Sequence, residues 1–161
     1  MIDAALTYTV PNGCRPPLPI FPLWPHGKTP RISTEDGGHG CYDGTINREA
    51  ISEWWTRYPD ANIGISTGKG IVVLDVDIDP DHGKYGDETL ADLEEQNEPL
   101  PDTWMALTGR GGTHYYFYCE DPALTVGVSI ANGLDYRGYG GYVVAPPSVH
   151  ANGRRYVHSE T

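Results

Sequence analysis

The spacing of apolar residues predicts two helices. Residues 47–58 carry apolar side chains, among them Ile51 and Trp55, at three- and four-residue intervals, which is the period of a helix with one buried face. Pro59 ends this helix, because a proline disfavours helical backbone in the residue before it. Residues 86–97 follow the same period and predict a second amphipathic helix. Its inward-facing residues are Leu90 and Leu93.

Short apolar runs bounded by glycine and proline predict strands in the rest of the chain. A glycine-rich turn at residues 109–112 joins two of these runs as a hairpin. Strands and helices do not alternate regularly, so the pattern favours an α+β fold with a mixed, mostly antiparallel sheet and flanking helices. The predicted strands are residues 62–67, 70–79, 103–108, 113–119, 133–137, 140–145 and 154–158, with a buried strand inside the proline-rich residues 14–30.

The chain of 161 residues has the length of one domain, which we expect to span 1–161. Its formal net charge is -11, which at first disfavours a nucleic-acid partner. The imbalance is local, however, because residues 73–122 hold 13 acidic and 2 basic side chains. Acid concentrated in one segment indicates either a cation site or a solvated acidic helix, and the second interpretation suits residues 88–95.

The sequence has no apolar run of the ~20 residues needed to span a bilayer and no segment typical of a signal peptide. Its three cysteines, Cys14, Cys41 and Cys119, are an odd number, which favours reduced thiols. We therefore expect a cytoplasmic protein with no membrane partner. A zinc site from Cys14, His26, His39 and Cys41 lacks the usual paired spacing.

The strongest chemical feature is the acidic end of the strand predicted over residues 70–79. Side chains alternate between the two faces of a strand, so Asp75, Asp77 and Asp79 are predicted to share one face. Neighbouring carboxylates repel each other unless a cation lies between them, and Mg²⁺ or Mn²⁺ prefers oxygen ligands. Asp75 and Asp77 are the stronger candidates, since Asp79 precedes Pro80 and suits an exposed loop.

The glycine-rich turn before residue 113 is a second candidate site. Its backbone N–H groups can bind an anion, Arg110 adds a charge suited to phosphate, and His114 begins the next strand. Such turns are common, but beside the acidic strand this one predicts a triphosphate site.

A third feature is the pair Asp135 and Arg137, which share a strand face. The pair is either a surface salt bridge or a third metal ligand beside a phosphate clamp. Residues 64–70 look like a P-loop, but the spacing is one residue short and a strand follows instead of a helix, so we reject an ATPase.

In order and spacing, these segments resemble the bifunctional primase/polymerase (prim-pol) N-terminal domain of the archaeo-eukaryotic primase superfamily. The resemblance implies an RRM-like catalytic half and two Mg²⁺ or Mn²⁺ ions held by Asp75, Asp77 and Asp135. It also implies that His114 contacts the nucleotide phosphate. The other residues that match the surroundings of the motifs, with nucleotide-binding roles, are Arg110, Thr113, Arg137, Ser148 and His150.

The same resemblance implies a nucleotidyltransferase that copies single-stranded DNA with dNTPs or NTPs. It further implies a helicase domain as partner, in a phage or plasmid replication protein of the bacterial host cytoplasm. Two alternatives stay open. A glycosyltransferase can also use an Asp-x-Asp motif to bind a metal, and a non-catalytic module can bind single strands through the aromatic residues 115–118.

Overall fold

The computed structural model describes residues 1–13, 15–119 and 127–159. The chain divides into two compact units, each formed by two segments. Unit 1 comprises Met1–Ser66 and Tyr142–Tyr156, and unit 2 comprises Thr67–Gly141 and Val157–Thr161. The helices of the described residues are α1 (Ile2–Thr7), α2 (Arg48–Arg57) and α3 (Gly86–Gln96). The strands are β1 (Ile20–Leu23), β2 (Asn62–Ser66), β3 (Gly70–Val76), β4 (Ile78–Asp79), β5 (Lys84–Tyr85), β6 (Trp104–Leu107), β7 (Thr113–Cys119), β8 (Gly127–Ala131), β9 (Leu134–Arg137), β10 (Tyr142–Ala145) and β11 (Val157–Ser159).

Unit 1 is built on a three-stranded antiparallel sheet with the order β1-β2-β10. All four residues of β1 are buried, which confirms the strand predicted within the proline-rich segment. α2 confirms the helix predicted from residue 47, and the Asn47 side chain caps it by accepting the N–H of Ala50 at 2.9 Å. Ile51 and Trp55 of α2 are buried, as the helical period indicates.

α1 packs against α2 in unit 1 and was not predicted. It has six residues and no side-chain cap, so local propensity alone gives little signal. Its position is set by later parts of unit 1. Arg48 donates to the Leu6 carbonyl at 3.2 Å, and the Tyr8 hydroxyl donates to the Pro146 carbonyl at 2.6 Å.

Unit 2 contains a six-stranded antiparallel sheet with the order β11-β6-β7-β3-β9-β8. β3 therefore lies between β7 and β9, although β9 follows it by more than fifty residues in the chain. The β6–β7 hairpin was predicted and is confirmed by the pairing of Leu107 with Thr113. Together the antiparallel sheets and the few helices confirm an α+β fold with mostly antiparallel pairing. Among the described residues, no helix has the length and apolar character to cross a membrane.

The strand predicted over residues 70–79 is wrong at its end, because β3 stops at Val76. The Asp77 N–H donates to the Gly133 carbonyl at 2.8 Å, and the Asp77 carbonyl accepts from the Gly86 N–H at 3.0 Å. The chain thus turns away after Asp77, and β4 pairs with β5 in a separate hairpin. Asp79 consequently does not share a strand with Asp75.

The inward direction predicted for Leu93 is also wrong, since 41% of its surface is exposed. Gly86 is the buried residue of α3, and Leu90 is half-buried. The helix is therefore anchored at its N-terminal end, where Gly86 touches the backbone of residues 77 and 133. β8 was not predicted, and β11 begins three residues later than predicted.

Candidate active site

Three candidate side chains of unit 2 lie in one row across the sheet. Asp75 on β3 pairs with His114 on β7 and with Asp135 on β9. Directly opposed residues of neighbouring antiparallel strands project from the same face. The strand order therefore brings together three residues that the sequence separates by up to 60 positions, near the end of β3.

Arg137 links the two carboxylates of this row. It lies two residues beyond Asp135, on the same face, and its Nη2 atom is 3.1 Å from Oδ2 of Asp75 and 3.0 Å from Oδ2 of Asp135. Only 12% of the Asp75 side chain and 14% of the Asp135 side chain are exposed. The Asp135–Arg137 pair is thus part of the row and not an isolated surface salt bridge.

Asp75 is held as a carboxylate by its neighbours. Burial raises the pKa of Asp75, but the hydrogen bond and charge of His114, together with Arg137, lower it to about 2 from its ordinary value of 3.8. His114 Nε2 lies 3.4 Å from Oδ1 of Asp75, a distance at the long end for a hydrogen bond. Asp75 therefore keeps a full negative charge at neutral pH inside a largely buried environment.

Asp77 joins the cluster through Lys84, a residue that the sequence did not single out. The Lys84 ammonium lies 2.6 Å from Oδ2 of Asp77. The pKa of Lys84 is raised first by this hydrogen bond and further by the charges of Asp77, Asp135 and Asp75. The ammonium of Lys84 thus interacts electrostatically with all three carboxylates.

The β4–β5 hairpin sets the position of Lys84. Ile78 pairs with Tyr85 and Asp79 pairs with Lys84, so the chain returns towards Asp77 through the short 3₁₀ turn Pro80–His82. Apolar periodicity does not reveal a hairpin of two-residue strands, so no sequence pattern indicates this contact.

Glycines at the end of β3 allow the site to form. A Cβ atom on Gly112 would lie 2.1 Å from the Val76 carbonyl oxygen. One on Gly86 would lie 2.4 Å from the Gly133 carbonyl oxygen, and one on Gly133 would lie 2.5 Å from the Gly86 nitrogen. Each distance is shorter than real Cβ contacts permit. The backbone at positions 86, 112 and 133 can therefore lie this close to its neighbours only because each of these residues is a glycine.

Arg110 and Asp79 contact each other instead of joining the row. Arg110 donates to Oδ2 of Asp79, and His82 Nδ1 lies 3.0 Å from Oδ1 of the same carboxylate. The pKa of Asp79 is lowered, first by the hydrogen bond from His82. Thr113 precedes His114 on β7, and the alternation of the strand directs it to the opposite face of the sheet.

Ser148 and His150 belong to unit 1. The Ser148 side chain is completely buried, and its hydroxyl accepts the Ile63 N–H at 2.8 Å. Nδ1 of His150 accepts the Asn152 N–H at 3.2 Å. Both residues thus have contacts within unit 1, and their nucleotide-binding roles stay predictions.

The carboxylates of the row suit a divalent cation by their chemistry. In the arrangement of the described residues, no group of three His, Cys, Asp or Glu side chains is close enough to hold a metal ion. Arg137 and Lys84 instead neutralise the carboxylates, and Oδ1 of Asp75 is buried without a hydrogen bond of good geometry within the described part of the chain. Hard carboxylate oxygens that already attract cationic groups fit Mg²⁺ or Mn²⁺. The zinc alternative gains no support, since His39 contacts Asp43 and Cys14 lies outside the described residues.

A comparison with family models gives a match to the family described as bifunctional DNA primase/polymerase, N-terminal, over residues 15–161. The chain belongs to the prim-pol family. This membership supports a nucleotidyltransferase of the primase/polymerase type in general, and it implies DNA and nucleotide substrates. No curated protein shows significant similarity to the prim-pol chain.

Proposed function

We propose that unit 2 of this prim-pol chain carries the active site of a DNA primase/polymerase that joins dNTPs or NTPs on single-stranded DNA. The observation that supports the proposal is the row of His114, Asp75 and Asp135 on adjacent strands. Burying an ionised carboxylate costs free energy unless a cation pairs with it. The placement of the largely buried Asp75 next to Asp135, a second carboxylate, therefore indicates a functional site.

Asp75, Asp77 and Asp135 are the proposed ligands of two Mg²⁺ or Mn²⁺ ions. Such ions, when bound, activate the attacking hydroxyl and offset the charge of the reacting phosphates. Asp75 is available as a ligand because its pKa of about 2 keeps it ionised at every physiological pH. The Gly86–Gly133 contact supports the site by fixing the backbone of Asp77.

Arg137 and His114 are the proposed triphosphate contacts of the row. Arg137 already contacts two carboxylates, and its planar guanidinium is suited to exchange those contacts for phosphate oxygens. His114 is held beside Asp75 and can donate to a phosphate oxygen. Electrostatic stabilisation of this kind accounts for most of the catalysis of phosphoryl transfer. The nucleotide-binding roles of Arg110, Thr113, Ser148 and His150 stay predictions from the family resemblance.

Family membership favours this function over a glycosyltransferase. A non-catalytic single-strand binder that uses residues 115–118 is also less favoured. Tyr116 is only 6% exposed, so the run does not form a continuous open stacking surface, although Tyr118 is 66% exposed. The family resemblance also supports a replicative helicase as the partner of the enzyme.

The test is primer synthesis and primer extension on single-stranded DNA with Mg²⁺ or Mn²⁺. We expect Asp75→Ala and Asp77→Ala to lower the extension rate by at least ~10³-fold, about 4 kcal/mol of barrier. Asp81→Ala is the matched control, because it removes an exposed carboxylate from the same segment. Near-parental extension by purified Asp75→Ala would contradict the assignment. Equal DNA affinity with and without Mn²⁺, and no product from the parent, would favour the non-catalytic module.

A further inference from the structure

Unit 1 carries a short loop, residues 24–29, between β1 and a bridge at Pro30. The loop closes at its base, where the Trp24 N–H donates to the Thr29 carbonyl at 2.8 Å and Leu23 bridges to Pro30. It begins directly after β1, the buried strand of unit 1. The loop is therefore closed at its base and continuous with a buried strand.

Two side chains of the same unit hold the backbone of this loop. Asn62, which is 2% exposed, donates to the Gly27 carbonyl at 3.1 Å, and the Tyr142 hydroxyl donates to the Lys28 carbonyl at 3.0 Å. A buried polar side chain costs free energy unless it is hydrogen-bonded, so Asn62 and the loop fix each other. The loop is thus ordered before any ligand binds, which reduces the entropic cost of binding.

Aromatic and cationic side chains contact each other beside the loop. The Arg31 guanidinium lies 3.5 Å from the centre of the Trp24 ring and 4.8 Å from the centre of the Tyr58 ring. Arg57 lies 5.3 Å from the Tyr58 ring. Trp24 nevertheless keeps 49% of its surface exposed. A large aromatic ring that is half open beside fixed positive charge is the arrangement that suits single-stranded nucleic acid.

The cations in and around the loop lack the ion pairs that several cations of unit 2 form with aspartates, as far as the described residues show. Among the described residues, no carboxylate forms an ion pair with Lys28, Arg31 or Arg57. The cations of unit 2 that form ion pairs with aspartates are Lys84, Arg110 and Arg137. In a chain of net charge -11, Lys28 of the loop and the neighbouring Arg31 therefore offer positive charge that an external polyanion can neutralise.

We infer that this loop and the adjoining Arg31 bind the single-stranded DNA template, with Trp24 stacking on a base through the ring face that Arg31 does not cover, Lys28 contacting a phosphate, and Arg31 adding positive charge beside the ring. The choice of DNA as the ligand rests on the proposed function. A stacking ring requires an unpaired base with a free face, which a single strand offers and a duplex does not.

Fluorescence anisotropy with a labelled oligo-dT of ~20 nucleotides tests the inference. The titrations use the whole chain in EDTA, at several NaCl concentrations, so that catalysis plays no part. We expect Trp24→Ala to weaken binding by about 5- to 100-fold, because one base loses its stacking partner. Lys28→Gln and Arg31→Gln should each reduce the slope of log affinity against log salt by about 0.7. Arg154→Gln, the same charge change at an exposed arginine of unit 1, should leave affinity and slope unchanged.

The outcomes separate this inference from the proposed function. Asp75→Ala should bind oligo-dT like the parent while losing primer extension. Parental affinity in Trp24→Ala and a parental salt slope in Lys28→Gln would overturn the inference, whatever the extension assay shows. Displacement of the oligonucleotide by dNTP alone would overturn it as well. Lys28 is exposed, so its variant keeps the test valid even if circular dichroism shows that Trp24→Ala is unfolded.

Discussion

The buried carboxylate of Asp75 should make the stability of the chain depend on acid. Burial raises its pKa, but His114 and Arg137 outweigh that effect and hold the pKa at about 2, against 3.8 for the exposed group. Because the pKa of the folded state is the lower one, the stabilisation is complete above the unfolded value and is lost as the pH falls through about 2. A difference of this size corresponds to about 2 kcal/mol of unfolding free energy.

Asp75→Asn removes the titrating group and nearly preserves its shape. Urea unfolding in EDTA, followed from about pH 7 to about pH 2, should show the parent losing about 2 kcal/mol more than the variant, mostly between about pH 4 and pH 2. Asp81→Asn, at an exposed position, should follow the parent at every pH. A constant difference between the parent and Asp75→Asn over this range would refute the reasoning.

Two further predictions concern the backbone near the site and the fully buried serine. Gly133→Ala should lower the free energy of unfolding by at least about 2 kcal/mol and reduce primer extension, since its Cβ would press on the Asp77 carbonyl oxygen. Gly83→Ala is the control, because Gly83 also has a positive φ but has open space where the Cβ would lie. Equal losses of stability by the two variants in a thermal melt would show that the clash at Gly133 has no effect. Ser148→Ala should cost about 1–3 kcal/mol in chemical unfolding, because the Ile63 N–H loses its buried partner, and an undiminished stability would contradict this role. The KM for dNTP in the same variant measures its predicted nucleotide contact.

Local patterns predicted much of the fold. β7 was predicted with its bounds, since a run of aromatic residues follows a glycine turn, and α2 was predicted because its apolar period ends at a proline. α1 and β8 were missed, because one is too short to carry a periodic signal and the other is positioned by pairing with β9. The break after Val76 was also missed, since it depends on contacts with the distant residues 86 and 133.

For the candidate site, local motifs likewise indicated the individual residues but not the contacts between them. The sequence indicated Asp75, His114 and Asp135 separately, and the family resemblance joined them. Their convergence depends on the order β7-β3-β9, which no local pattern specifies. Lys84 was missed for the same reason, because a two-stranded hairpin brings it to Asp77.

A crystal of the protein soaked in Mn²⁺ would show whether the three aspartates hold the metal. We expect an anomalous scattering peak within coordination distance, about 2 Å, of carboxylate oxygens of Asp75, Asp77 and Asp135, with Arg137 displaced from Asp75. The peak should disappear in Asp135→Asn crystals. Mn²⁺ bound only at other carboxylates, with the Arg137 bridge unchanged, would show that these aspartates are not the metal ligands.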